Sequence, residues 1–265
     1  MNYIEAIILA IIQGITEFLP ISSTGHMIIA EYFLGLQKTN ALSEFSRLFA
    51  VSIHFGTVLA VVIIYWKRFF TSIDIYFKLF IAFIPAAILG FLLSDTIDKV
   101  FTNVIVVAVA LIIGGVVLLF VDKWWNYKDE EKEPTYLSSL IIGLFQVIAM
   151  IPGVSRSGAT IIGGMFQKLT RKKAAEFSFL LAVPTVLAAS GYKMLKEYKS
   201  INSENINLLV IGNIVAFIIA IIAIKTFIGI IQKYGFKAFG YYRILLGSIL
   251  LILLALGFNL NVGID

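Results

Sequence analysis

The chain has no cysteine, which excludes a disulfide framework and thiolate chemistry. Charge is scarce too: Asp, Glu, Lys and Arg make up 14% of its 265 residues, against about 25% in a soluble domain. Met1 to Gln13 carry neither a basic n-region nor a small-x-small cleavage site, so they read as mature protein rather than a signal peptide. Also missing is the polar–apolar alternation of a transmembrane barrel: runs such as Val104–Val121 and Leu208–Ile224 do not alternate. What is present is a 60% hydrophobic composition, the mark of a polytopic α-helical membrane protein. The net charge of +5 calls for no nucleic-acid partner, because Lys and Arg in the loops of such a protein report orientation.

Two short polar segments interrupt the apolar sequence, and they look like copies of each other. Gln13 to His26 reads QGITEFLPISSTGH and Gln146 to Ala159 reads QVIAMIPGVSRSGA. At an offset of 133 they match at Gln13/Gln146, Ile15/Ile148, Ser22/Ser155 and Gly25/Gly158. The likeness continues. Glu44 to Val51 and Glu176 to Val183 agree at six of eight positions, and Thr57–Ala60 matches Thr185–Ala188. The chain therefore reads as one integral membrane domain of two repeats, about 1–121 and 136–265, joined by the polar linker 122–135.

Spanning a bilayer takes about 20 apolar residues. Six segments qualify, at about 47–66, 76–94, 101–121, 173–192, 206–226 and 239–258, three in each repeat. An odd number per repeat predicts an inverted second half. The remaining apolar runs, Ile4–Ile12 with Met27–Leu34 and Tyr136–Ile151 with Ile161–Phe166, are short and flank the polar segments. Short–break–short predicts two re-entrant helical hairpins; the alternative is one broken spanning helix per repeat. On the re-entrant model 13 basic residues fall in the loops of one face. The other face carries six: Lys38, Arg47, Lys99, Lys193, Lys196 and Lys199. The positive-inside rule puts the first face in the cytoplasm and both termini outside. The basic run Lys168–Lys173 reads as a cytoplasmic orientation signal attracted to anionic lipid.

Ionisable groups inside a membrane are costly and mark function. Those within the apolar parts are Glu5, Glu17, His26, His54, Arg156 and Arg243. Glu17 follows Gln13 by four residues, so on a helix both side chains leave one face. That pair could hold a divalent cation with water filling the shell, as Mg2+ prefers, or Glu17 could act as a base; the plainer reading is a helix-end carboxylate paired with an Arg. Ser22, Ser23, Thr24 and the Gly25 backbone suit phosphate oxygens at a helix N-terminus. Ser22 or Thr24 is also expected to cap that helix. A Ser three residues from His26 could be a nucleophile activated by the imidazole. Arg156, flanked by Ser155 and Ser157, suits bidentate phosphate recognition, or snorkels to headgroups. His54 lies outside both segments and reads as an interhelical hydrogen bond. Glu5 and Arg243 sit near segment ends and read as snorkelling groups.

The two polar segments resemble the signatures of the undecaprenyl-diphosphate phosphatases, the bacterial membrane family also called bacitracin-resistance proteins. The resemblance covers essentially the whole chain, and PGVSRSGAT is its second signature. It implies hydrolysis of a C55 isoprenyl diphosphate to the monophosphate, which recycles the carrier lipid for cell-wall synthesis. It implies dependence on a divalent cation, Mg2+ or Ca2+, and an active site open to the outer face of the plasma membrane. Bacitracin would compete indirectly by binding the substrate, and a homodimer is a further implied partner. By motif position Glu17 and Gln13 are the acidic pair, Ser23 and His26 the nucleophile and its acid/base partner, and Arg156 the phosphate-binding arginine. Ser155 and Thr160 fall at further positions the family uses. Gln13 departs from the pattern, because that position is often Glu and an amide is a weaker cation ligand. The rival function is a transporter or flippase of an anionic prenyl lipid, since broken helices meeting at the midplane also build transporters. Such a protein would not require a Ser–His pair beside a carboxylate.

The inverted topology is tested by accessibility. Asn2→Cys and Ile264→Cys, introduced singly into this cysteine-free chain, are expected to label with an impermeant thiol reagent outside intact cells. Lys172→Cys and Glu130→Cys are expected to stay unlabelled. Labelling at position 172 without labelling at the termini would contradict the assignment.

Overall fold

The computed structural model describes residues 1–36, 40–93, 103–128, 132–197, 205–258 and 260. Lys38, Lys99 and Lys199, counted above, lie outside them, as do Glu130 in the linker and Ile264. The described residues form helices and their connections. In chain order these are α1 Tyr3–Thr16, α2 Ser23–Phe33, α3 Asn40–Ile64, α4 Trp66–Thr71, α5 Asp74–Leu92 and α6 Val104–Trp124. The second half supplies α7 Tyr136–Ile148, α8 Arg156–Phe166, α9 Arg171–Glu197, α10 Ile206–Tyr234 and α11 Lys237–Ala255. Six of them, α3, α5, α6, α9, α10 and α11, are long and apolar enough to cross a membrane. Each overlaps a segment expected from sequence. The largest difference is α10, which runs to Tyr234 rather than to about 226.

Local chemistry starts and stops these helices. α1 and α7 each open with a capping box. Asn2 Oδ1 accepts from Glu5 N while Glu5 Oε2 accepts from Asn2 N, and Thr135 and Ser138 exchange the equivalent bonds. Glu5 is thus part of a cap, not a snorkelling group. Both short helices end in the polar segments. Ser22 and Ser155 carry positive φ, 67° and 74°, a conformation costly for any residue but glycine. The equivalence seen in sequence is therefore also an equivalence of backbone. The caps differ, however. Ser155 Oγ accepts from Gly158 N at 3.1 Å, whereas Ser22 makes no side-chain cap bond. Thr24 lies inside the first turn of α2, too late to cap it. The expected capping at Ser22 or Thr24 is not formed.

Small residues let the helices approach closely. In the α6–α11 pair, a Cβ on Gly115 would meet Gly240 O at 2.8 Å, and a Cβ on Gly240 would meet Gly115 O at the same distance. On Gly143 of α7 it would lie 2.4 Å from Ala82 O of α5. The short helices are exchanged between halves: α1 packs on α10 and α7 on α5. α3 packs against both α9 and α10. Asp122 then ties three elements at one end. It accepts from Arg171 Nε of α9 at 2.7 Å and from Phe236 N, in the α10–α11 turn, at 2.7 Å. Arg68 and Lys173 both pair with Glu133. Two cations of the run Lys168–Lys173, Arg171 and Lys173, are therefore bound by carboxylates rather than left for lipid.

Arg243, on α11, does not snorkel. It is 1% exposed and places all five of its N–H donors on backbone carbonyls. Nη1 donates to Pro20 O at 3.1 Å and Val154 O at 2.9 Å, Nη2 to Gly153 O at 2.9 Å and Ala110 O at 3.1 Å, and Nε to Leu111 O at 3.3 Å. Pro20, Gly153 and Val154 belong to the two breaks, where the chain has left the helix and its carbonyls need donors. Gly114 makes the space: a Cβ there would lie 2.2 Å from Nη2. Arg243→Met, of similar bulk, is expected to cost about 3 kcal/mol, measured as a lower thermal midpoint in detergent. Arg243→Lys should recover only part of the loss, since one ammonium cannot reach five carbonyls. An unchanged midpoint in Arg243→Met would contradict this account.

Candidate functional site

The two breaks meet, and the meeting point is Glu17, directly after α1. Its carboxylate is 8% exposed and collects donors from both halves. Gln13 Nε2 donates to Oε2 at 2.8 Å, as the four-residue spacing on α1 predicted. Ser23 Oγ, the first residue of α2, donates to the same oxygen at 3.2 Å. Arg156 Nη2, the first residue of α8, donates to Oε1 at 2.9 Å. Glu17 thus pairs with an Arg, as the plainer sequence reading had it, and it also faces the candidate nucleophile.

Arg156 does not snorkel. Nη1 donates to Ser178 O of α9 at 3.1 Å, and the guanidinium carbon stands 5.8 Å from the Phe18 ring centroid, within cation–π range. Its Nε is buried and has no hydrogen-bond partner. A buried N–H left unused is costly, and an anion oxygen would satisfy it. The flanking hydroxyls act as scaffold. Gly158 N donates to Ser155 Oγ, the Ser155 and Ser157 hydroxyls are 3.0 Å apart, and Ser157 Oγ donates to Leu19 O at 2.8 Å, stitching the second break to the first. Thr160 is fully buried behind Arg156, its Oγ1 donating to Arg156 O at 2.9 Å and lying 2.6 Å from Ser178 Oγ. Thr24 is half-buried in the first turn of α2, and Gly25 packs where a Cβ would meet Leu111 Cδ1 at 2.9 Å.

Two histidine expectations change. Ser23 hydrogen-bonds to Glu17 and not to His26. The imidazole of His26 is committed elsewhere: Nδ1 to Ser22 O at 2.8 Å and Nε2 to Tyr242 OH at 2.6 Å. The two rings stack with 5.5 Å between centroids and 8° between planes. A helical i+3 spacing gave proximity in sequence, but the two side chains take different partners, Ser23 on the Glu17 carboxylate after α1 and His26 on α11. The second change concerns His54, read from sequence as lying outside the site. Its Nε2 is 3.6 Å from Glu17 Oε2, and its Nδ1 is 2.7 Å from Ala50 O.

Sequence reasoning also missed Tyr242, which adjoins Arg243 on α11 and has no motif around it. The repeat offered one further hint that is only half realised. Gln146, the counterpart of Gln13, is buried and accepts from Thr185 Oγ1 at 3.2 Å, but its Nε2 has no partner. Position 150, the counterpart of Glu17, is Met. One break carries the carboxylate, and the other brings the cation to it.

A family model described as "Bacitracin resistance protein BacA" matches residues 6–249. The undecaprenyl-diphosphatase of Flavobacterium psychrophilum is 58% identical over 256 residues, covering 96% of each chain. That of Bdellovibrio bacteriovorus is 53% identical over 265 residues, covering 98% of this chain and 99% of the relative. That of Aquifex aeolicus is 45% identical over 249 residues, covering 92% and 96%.

The tautomer of His26 is testable on its own. A carbonyl only accepts, so Nδ1 carries the proton and Nε2 accepts from Tyr242. The chain has two histidines, so a 15N-histidine NMR spectrum of His54→Gln contains His26 alone. It should show a protonated Nδ1 and an unprotonated Nε2, with Tyr242→Phe shifting the Nε2 resonance. A protonated Nε2 beside a bare Nδ1 would contradict the arrangement.

Proposed function

The chain belongs to the bacitracin resistance protein BacA family, and we propose how its residues divide the work of the reaction it carries out. It is a multi-pass bacterial membrane phosphatase that hydrolyses undecaprenyl diphosphate to undecaprenyl phosphate and inorganic phosphate, returning the carrier lipid to cell-wall synthesis. Lipid transport alone is not favoured.

Ser23 is the nucleophile and Glu17 its base. The observation that carries this is the bond from Ser23 Oγ to Glu17 Oε2 at 3.2 Å, with His26 turned away to Tyr242. Ser23 Oγ attacks the terminal phosphorus, its proton passes to Glu17, and the bridging P–O bond breaks. Undecaprenyl phosphate leaves as an anion that needs no proton. Glu17 gives that proton up to solvent; water then attacks the phosphoserine, its proton passing through Glu17 to the leaving Ser23 Oγ, and inorganic phosphate is released. Arg156 stabilises the charge on the transferring oxygens, which dominates phosphoryl-transfer catalysis. Its unpartnered Nε supports that role. The first turn of α2, without a side-chain cap, leaves N–H groups for the same oxygens. His26 with Tyr242 lines the approach.

A divalent cation, Mg2+ or Ca2+, fits the donor set. Glu17 offers a carboxylate oxygen, and the Gln13 amide beside it presents oxygen instead of nitrogen after a half-turn. Among the described residues no cluster of three His, Cys, Asp or Glu could hold a metal, so Gln13 and Glu17 give a partial shell that water and substrate oxygens complete. When bound, the ion would neutralise the diphosphate. The exchange of α1 and α7 between halves supports the inverted two-repeat topology with both helix pairs re-entrant, and the excess of basic residues in the loops of one face supports a site facing outward. Bacitracin then competes by binding the lipid itself.

Arg156→Lys keeps the charge and loses the fork, so turnover should fall by two to three orders of magnitude, roughly 3–4 kcal/mol. Glu17→Gln should lose more. Rapid acid quench of wild type with labelled substrate should trap a phosphoprotein that Ser23→Ala does not form. Near-normal turnover by Ser23→Ala would remove the covalent step and leave Glu17 to activate water directly.

A further inference from the structure

His54 stands where the reaction so far has given it no task. It lies on α3, outside both polar segments, yet its Nε2 faces Glu17 Oε2 at 3.6 Å. That separation is too long for a hydrogen bond. Its other nitrogen is committed, with Nδ1 2.7 Å from the carbonyl of Ala50. A carbonyl cannot donate, so the proton of the neutral ring sits on Nδ1, and Nε2 turns its lone pair toward the carboxylate. Two lone-pair donors facing each other repel unless a positive charge lies between them, either a proton that makes the contact an imidazolium–carboxylate pair or a metal ion. A metal ion held about 2.0–2.2 Å from each bridges such a gap.

Three further observations support a cation there. An N–H bonded to a backbone carbonyl is the usual outer support of a metal-ligating histidine, because it fixes the tautomer and aims the free nitrogen. The α3 turn that carries His54 is also fixed. Thr57 Oγ1 donates to His54 O at 2.8 Å, Gly56 N donates to Asn213 Oδ1 of α10 at 2.8 Å, and Asn213 Nδ2 donates to Ser52 Oγ at 2.8 Å. Gly56 allows that contact, since a Cβ there would lie 2.2 Å from Asn213 O. Finally, Gln13 meets the same carboxylate oxygen at 2.8 Å, but an amide is a weak ligand.

We propose that His54 is a ligand of the cation site in this protein, binding with Glu17 and Gln13, and that it makes up for the missing carboxylate at position 13. An imidazole beside a carboxylate shifts preference away from Mg2+ and Ca2+ toward Mn2+, Co2+ and Zn2+. This rests on the reading of Glu17 and Gln13 as cation ligands, and deepens it by adding a residue and a class of ion.

The test reads binding, not turnover. Purified protein in detergent is stripped with chelator and titrated with Mn2+ without substrate, followed by electron paramagnetic resonance. Wild type should bind one ion whose pulsed spectrum carries nitrogen modulation from an imidazole. His54→Gln should lose that modulation and bind at least tenfold more weakly. Adding Gln13→Glu to His54→Gln should restore affinity without nitrogen modulation, because the new ligand is oxygen. Bound Mn2+ without nitrogen modulation in wild type would overturn His54 ligation and leave the Glu17 cation site standing. No binding by wild type would overturn both, while phosphate release and phosphoserine trapping in the same preparation would still report separately on Ser23.

Discussion

Five N–H groups on one guanidinium hold two interrupted helices in register. Arg243 takes three carbonyls from the breaks and two from α6. A broken helix in an apolar surrounding must find donors for the carbonyls it frees. Water could supply them, but it would also loosen the geometry and compete with substrate. A single buried fork supplies them without admitting solvent. Glu17, Ser23 and Arg156 all lie within four residues of a carbonyl that Arg243 holds, so the separations at the site follow from the clamp.

Around Glu17 the charges are arranged by economy. One carboxylate faces one guanidinium, one amide, one hydroxyl and one imidazole. Removing a charge from such a group leaves its partner uncompensated in a medium that does not forgive it. Substrate binding must therefore substitute for contacts already present rather than add to an empty pocket. Arg156 has one buried donor to give at once. Its contact with Glu17 is the one that a phosphate oxygen would share or replace.

The sequence made the architecture readable because apolar length and helix-breaking residues are local properties. The six long helices and both breaks could be placed from them. The Gln13–Glu17 contact was also readable, since four residues on a helix is a fixed geometry. Contacts that depend on how one helix turns against another were not. The i+3 spacing of Ser23 and His26 suggested a pair, yet Ser23 turns to Glu17 and the imidazole to Ser22 O and Tyr242. His54 and Arg243 were given bland roles because nothing beside them in the chain advertises Glu17 or the broken backbone. Glu17 lies 37 residues from His54, and the carbonyls that Arg243 holds lie 89 or more from it. Glu5 looked costly in an apolar segment until its three-residue relation to Asn2 was seen as a cap.

Arg243 recognises backbone alone, and this bears on how two similar segments can carry different chemistry. A clamp that reads carbonyls is indifferent to side chains, so each break can change its residues while its path stays fixed. Ser23 and Arg156 occupy the same position in the two aligned segments, 133 residues apart. One is a hydroxyl and the other a cation, and the fold brings both to a carboxylate that only the first segment carries. A shared, sequence-blind restraint leaves the two segments free to supply opposite partners of one chemistry.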